Sequence, residues 1–152
     1  MLAGEVQLAA DDSLPLELAT TQLRQWPPGG GAMVPSLSSW IAAHFQGRPD
    51  FASPAALRDV RVRQAPAYAA SRASINDALY QGQLPIADSL FSPLSELGRA
   101  ADAAVTKYPF DLGRSVQLMA EAGFTKRPAD FYVGPSGDAF AAELRTDFAD
   151  YI

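Results

Sequence analysis

Prolines and glycines interrupt this sequence at short intervals and limit the length of every element that it can form. The chain has 12 prolines and 11 glycines in 152 residues, more than the roughly 12% that these residues contribute to an average protein. Proline removes a backbone hydrogen-bond donor and fixes φ, and glycine readily enters turns. We therefore expect many short helices and strands joined by turns.

Composition narrows the class of protein. Hydrophobic residues make up 48% of the chain and charged residues 19%, which predicts one globular chain with a packed core. The formal net charge of −5 opposes binding to a phosphate backbone, so no nucleic acid partner is expected. The sequence contains no run of about 20 apolar residues, the length that a membrane span needs. It also contains no cysteine, so the chain has no disulfide or thiolate site.

The sequence offers little for catalysis or for a metal. His44 is the single histidine, so no histidine-based metal cage can form within the chain. Gly29–Gly31 lacks the Lys-Ser/Thr that follows a phosphate-binding loop. The acidic pairs Asp11–Asp12 and Asp147–Asp150 have no recognisable partner and are interpreted as surface charge. We predict no catalytic residue, no metal and no cofactor.

Hydrophobic spacing and turn residues predict a mixture of helices and strands. A long loop with a single helical turn is expected over residues 83–109. The other expected elements are a strand over 4–8, a helix capped by Ser13 and stopped at Trp26, a strand over 32–45, a helix over 59–80, a helix from Asp111 to Gly123, and a hairpin over 130–144.

Two of these helices carry specific predictions about their ends. In the helix over 59–80, Pro66 crowds the carbonyl of Val62, so a kink or a late start near Ala65 is expected, and Gly82 ends the last turn. In the helix that follows residue 109, Asp111 is the predicted N-cap and Gly123 the predicted C-terminal cap.

Trp40 and His44 are the candidate ligand-binding residues. Trp40 follows Ser38 and Ser39 in a segment that alternates small, polar and large groups, as the wall of a ligand cleft would. His44 lies four residues further along the same predicted strand. The alternative interpretation is packing in the core for Trp40 and a half-buried structural position on the strand for His44.

The stretch Asp59–Arg72, which reads DVRVRQAPAYAASR, resembles the signature D-x-R-V-R-x-A-x-x-x-A-[IM]-D-R of the family 5 extracellular solute-binding proteins. Here Ser71 stands where the family has an acidic residue, and Pro66 interrupts the motif. Other segments resemble the family in the same order along the chain: 4–8, 82–87, 108–111 with 118–124, and 140–145.

The resemblance implies an α/β (mixed α+β) fold that forms part of a two-lobed periplasmic binding protein of type II-like architecture, with helices packed on a small mixed sheet and a C-terminal β-hairpin. Family members are much longer, so the chain is expected to be an internal fragment. Residues 1–54 would end the first lobe and residues 55–152 would begin the second.

The resemblance also implies a function. Family members are the solute receptors of ABC importers for oligopeptides, dipeptides and nickel; they capture solute between two lobes and deliver it to the membrane permease. Trp40 would line the cleft, whereas Asp59, Arg63 and Arg72 would be scaffold residues. The expected location is extracytoplasmic, with membrane contact only through the transporter subunits or an anchor outside this chain.

Two other classes of function stay open from the residues alone. A small stand-alone hydrolase would require His44 within hydrogen-bond reach of a serine and a carboxylate. A protein-interaction module would require a contiguous exposed apolar patch. The resemblance favours a peptide or another small solute as the ligand.

Overall fold

The computed structural model describes residues 5–10, 13–34, 41–128 and 131–145. Two strands in these ranges, β1 (Thr125–Lys126) and β2 (Tyr132–Val133), form an antiparallel sheet, and single turns of 3-10 helix cover Ala55–Arg58 and Asp102–Ala104. The α-helices are α1 (Leu16–Gln25), α2 (Val60–Ala69), α3 (Arg72–Tyr80), α4 (Glu96–Ala101) and α5 (Leu112–Glu121). The predicted fold class, helices with a small sheet, is confirmed.

The chain divides into two compact units, each assembled from two separate stretches of sequence. The first unit contains residues 1–41 and 73–105, and the second contains residues 42–72 and 106–152. Helices α1, α4 and nearly all of α3 lie in the first unit, whereas α2, α5 and both strands lie in the second. The predicted lobe boundary between residues 54 and 55 refers to a whole receptor and stays a prediction.

Helices α2 and α5 form the core of the second unit. Val62 and Ala65 from α2 pack with Leu118 and Met119 from α5, and each of these four side chains is at least 96% buried. Val62 and Ala65 lie three residues apart, and Leu118 and Met119 lie three and four residues after the buried Ser115, spacings that place them on one face of each helix. Around them lie half-buried apolar groups from neighbouring segments: Ala56, Leu57, Tyr68, Ala122, Phe124, Tyr132 and Phe140.

Hydrogen bonds at both ends of the pair show that α2 and α5 run antiparallel. At the start of α2, the Arg61 guanidinium donates to the carbonyl of Glu121, the last residue of α5. At the other end, the Asp111 amide donates to the carbonyl of Tyr68 at 2.8 Å. These contacts satisfy backbone groups that helix ends leave without partners.

Both predicted caps of α5 are confirmed. The Asp111 carboxylate accepts a hydrogen bond from the Arg114 amide at 2.8 Å, as an N-cap does. At the other end Gly123 has φ +88°, its amide donates to Ala120 O, and the Phe124 amide donates to Met119 O. This pattern is a Schellman motif, which requires a left-handed residue at the glycine position.

The predicted C-terminal hairpin is present in a shortened form. A single bridge joins Val133 to Ala139, and the Phe140 amide donates to Tyr132 O at 2.7 Å. The partner that gives β2 its ladder is β1, which the sequence did not indicate because two residues show no periodicity. Phe124 and Phe140 stack edge to face, with ring centroids 5.5 Å apart, and so connect this region to the core.

The long helix predicted over residues 59–80 is divided in two, and its break is not at Pro66. Helix α2 begins at Val60 and includes Pro66, so the expected late start near Ala65 is wrong. The break falls at Ala70, whose ψ of 109° is extended. In a continuous helix Tyr68 O would accept from the Arg72 amide, but here it accepts from Asp111. Gly82, with φ +71°, follows α3 as predicted.

Two predicted strands are wrong wherever the structure describes them. Residues 5–8, 32–34 and 41–45 are not strands, because no neighbouring segment in the described ranges supplies the ladder of hydrogen bonds that a strand needs. Ser13 is not a helix cap either, since its hydroxyl donates to Ala10 O and α1 starts after Pro15. The predicted stop at Trp26 is confirmed, as α1 ends at Gln25.

Candidate functional site

An apolar concavity of about 360 Å³ lies in the first unit. Of its described lining residues, four are apolar and one is an uncharged amide; they are Leu16, Met33, Val34, Gln83 and Leu84. Pockets of roughly 300–1,000 Å³ hold small ligands in proteins, so this volume suits a single side chain or a small fragment. None of these described lining residues is charged, so they favour a neutral apolar occupant.

The side-chain amide of Asn76, on α3, holds the wall of the concavity that Gln83 and Leu84 form. Asn76 Nδ2 donates to Leu84 O at 2.8 Å, and the Leu84 amide donates to Asn76 Oδ1 at 3.3 Å. The chain can return to Asn76 because Gln81 and Gly82 both have positive φ, at 54° and 71°. Both polar atoms of the Asn76 side chain are therefore used to fix this wall.

A second side chain fixes the same wall to α1. The Thr20 hydroxyl donates to Leu16 O at 2.8 Å and therefore acts as the acceptor when Gln83 Nε2 approaches it at 3.3 Å. This arrangement sets the orientation of the Gln83 amide. In the part of the chain that the structure describes, Gln83 Oε1 has no hydrogen-bond partner, which leaves an acceptor beside the apolar surface.

Of the two sequence-predicted ligand residues, the structure describes His44 alone. Trp40 lies outside the described residues. His44 is exposed and lies on a segment without regular structure, so the expectation of a half-buried histidine on a strand is wrong. Within the described ranges His44 makes no hydrogen bond to a serine or a carboxylate. A role for either residue in ligand binding stays a prediction.

Asp59 and Arg61 form the polar contact at the junction of α2 and α5. One carboxylate oxygen of Asp59 accepts from the Arg61 amide at 2.8 Å, and the other pairs with Arg61 Nη2 at 2.6 Å. The hydrogen bond from the Arg61 side chain, followed by that from its amide, lowers the pKa of Asp59. Because both side chains are partly exposed, solvent weakens the ion pair. The hydrogen bonds at the helix ends, to the Arg61 amide and to Glu121 O, therefore contribute more to stability than the ion pair does.

Arg63 and Arg72 both donate to main-chain carbonyls in the second unit. Arg63 Nη1 donates to Leu57 O at 2.6 Å and to Arg58 O at 2.9 Å. Arg72 Nη2 donates to Tyr108 O at 3.2 Å. These guanidinium groups therefore hold the 3-10 turn before α2 and the segment before α5, and their role in a whole receptor stays a prediction.

Tyr108 was not among the site residues chosen from the sequence, although it contacts Tyr68, Gln64 and Arg72. Its ring lies edge to face with that of Tyr68, with centroids 5.3 Å apart, and its hydroxyl lies 3.4 Å from Gln64 Nε2. Its position just before the N-cap Asp111 could have drawn attention to it, because residues that precede a helix often pack back on the helix.

The described ranges contain neither a metal-binding cluster nor a membrane-spanning helix. No group of three or more His, Cys, Asp or Glu residues could hold a metal ion there. No described helix is long and apolar enough to cross a membrane.

Comparisons with known proteins identify the family. The chain matches the model of the bacterial extracellular solute-binding proteins, family 5 middle region, over residues 2–148. A solved oligopeptide-binding protein from Thermus thermophilus, in complex with a pentapeptide, is 32% identical, with a TM-score of 0.46; the match covers 55% of this chain and 14% of that chain. A search of curated proteins found no match. The match to the family model extends over nearly the whole sequence, and the chain belongs to the bacterial extracellular solute-binding proteins of family 5.

Proposed function

We propose that this chain is part of a receptor that binds a small solute, most simply a peptide, and passes it to an ABC importer outside the cytoplasmic membrane. The observation that carries the proposal is the family match over residues 2–148. Peptides come first among solutes because the stretch Asp59–Arg72 resembles the signature of the peptide and nickel receptors. Capture involves no bond making or breaking, so the receptor needs no catalytic residue.

The described geometry suits binding in two respects. The first unit presents an apolar concavity with an amide acceptor at its edge, which is the usual composition of a ligand pocket. The second unit has a rigid core of two helices tied together at both ends. A receptor needs such a scaffold to hold its binding surface in one geometry.

Binding is tested on the protein expressed from its complete gene. Di- and oligopeptides, sugars and nickel chelates are screened by thermal shift, and each hit is measured by isothermal titration calorimetry. We expect peptides to raise the melting temperature, because a ligand that binds only the folded state stabilises it. A shift with sugars or chelates and none with any peptide would contradict the choice of peptide.

The same mixtures separate a receptor from a hydrolase. After incubation, mass spectrometry is expected to recover the peptide intact. Cleavage that disappears in His44→Ala would replace the proposed function with peptide hydrolysis. Delivery to a permease is tested by uptake of a labelled peptide into cells with and without the gene, where equal uptake would argue against a role in import.

A further inference from the structure

Two apolar residues that line the concavity of the first unit keep much of their surface exposed. Val34 is 84% exposed and Met33 is 36% exposed, although both are apolar and both line the concavity. Leu16 and Leu84, which also line the concavity, are half-buried. A ligand that fills this space removes apolar surface from water, which is favourable.

The chemistry of the lining defines what the ligand must be. A charged side chain would lose water here without gaining an opposite charge from the described lining residues, so it is disfavoured. At the edge, Gln83 Oε1 is an acceptor, held in place because Nε2 is bound to Thr20. An N–H group next to an apolar side chain matches this pair of features, and each residue of a peptide supplies both.

We propose that the concavity is a specificity subsite that selects a neutral aliphatic side chain of the bound peptide, with Gln83 Oε1 accepting a hydrogen bond from that peptide's backbone N–H. The assignment rests on the proposed function. Its volume of about 360 Å³ lies at the low end of the pockets that hold whole ligands, which suits a subsite for one residue.

Matched tripeptides test the assignment by isothermal titration calorimetry. The wild-type protein should bind Ala-Leu-Ala at least about tenfold more tightly than Ala-Ala-Ala, since one methylene in an apolar pocket is worth about tenfold or more. Val34→Glu should bring this ratio close to one and should strengthen binding of Ala-Lys-Ala. Because Val34 is almost fully exposed, the substitution leaves the fold undisturbed.

Leu90→Glu is the matched control. Like Val34, Leu90 is an exposed aliphatic residue of the first unit, but it does not line the concavity, so this variant should keep the wild-type preference for leucine. Gln83→Leu should weaken all three tripeptides by a similar factor, because it removes the acceptor for a backbone group that they share. Loss of the leucine preference in Leu90→Glu as well, or its survival in Val34→Glu, would overturn the assignment.

A second ligand separates failure of the subsite from failure of the proposed function. N-acetyl-leucinamide carries the same side chain and N–H groups without being a peptide chain, and ligand-observed NMR detects weak binding. If it binds the wild type but not Val34→Glu, and no tripeptide binds, the subsite stands and peptide capture is wrong. If all tripeptides bind equally, peptide capture stands and the subsite is wrong. If nothing binds, both are wrong.

Discussion

Leu118 is the side chain whose removal should most disturb the second unit. It is 98% buried between α2 and α5, and only three other apolar side chains in the described residues are buried to a similar extent: Val62, Ala65 and Met119. Leu118→Ala leaves a cavity in this small core. Buried Leu→Ala substitutions cost about 2–5 kcal/mol, with the higher values where the surroundings cannot collapse into the space.

The geometry of α2 and α5 favours the upper part of that range. The two helices are held at one end by the bond from Arg61 to Glu121 O and at the other by the bond from Asp111 to Tyr68 O. These ties oppose movement of the helices toward each other, so we expect a loss of about 3–5 kcal/mol. The free energy of unfolding of a domain is roughly 5–15 kcal/mol, so this loss would be a large part of it.

Urea denaturation followed by far-UV circular dichroism measures the effect. With a slope of about 1–3 kcal/mol per molar urea, the midpoint should fall by about 1–5 M. Leu112→Ala is the control, because Leu112 lies on the same helix but is 56% exposed, and its cost should stay within about 0.5 kcal/mol. Equal effects of the two substitutions would refute the assignment of the core. If Leu118→Ala fails to fold, Leu118→Met should fold at a cost below about 1.5 kcal/mol.

Three further predictions concern backbone geometry and charge. Gly123→Ala should cost about 1–2 kcal/mol because φ is +88° there, and Gly123→Asn should cost less; thermal denaturation tests the order. Gly98→Ala should cost about 1–3 kcal/mol, since a Cβ at this position would overlap Ser92 O. Hydrogen exchange should locate the loss of protection in α4, and unchanged protection there would contradict the prediction. The pKa of Asp59 is lower in the folded protein, so its stabilising charge is fully present above its ordinary pKa of 3.8 and is lost as the pH falls through the folded value. Asp59→Asn should therefore be less stable than wild type at pH 7, and the difference should shrink in acid; a constant difference would argue against a role for the charge.

Helix α5 was predictable because its signals are local. Asp111 can cap the helix within three residues of its own position, and Gly123 supplies a left-handed residue immediately after it. The apolar positions between them recur at helical spacing. None of these features depends on a distant partner, so the sequence alone placed both ends of the helix.

The long helix over residues 59–80 was predicted incorrectly because its interruption is a tertiary effect. Pro66 is the conspicuous helix breaker, yet the helix includes it. The break occurs after Tyr68, whose carbonyl accepts from Asp111, 43 positions further along the chain. No periodicity between residues 59 and 80 contains that information.

The candidate subsite was hidden from the sequence for a similar reason. Leu16, Met33 and Leu84 belong to three separate segments, and they line one concavity because Asn76 holds the returning chain and Thr20 holds Gln83. Single asparagine and threonine residues on helices are too common to indicate such contacts. The predicted ligand residue His44 was chosen for its chemistry, and the structure leaves it exposed on an irregular segment.

The sequence by itself determined the family, the class of fold and the helices whose start and end are written in adjacent residues. It also determined that elements would be short, because proline and glycine recur throughout the chain. Tertiary structure decided where the signature helix breaks, which predicted strand residues are irregular in the described ranges, and which residues meet around the concavity. Each of these depends on a hydrogen bond or contact between distant segments, and such a partner becomes available only when the chain has folded.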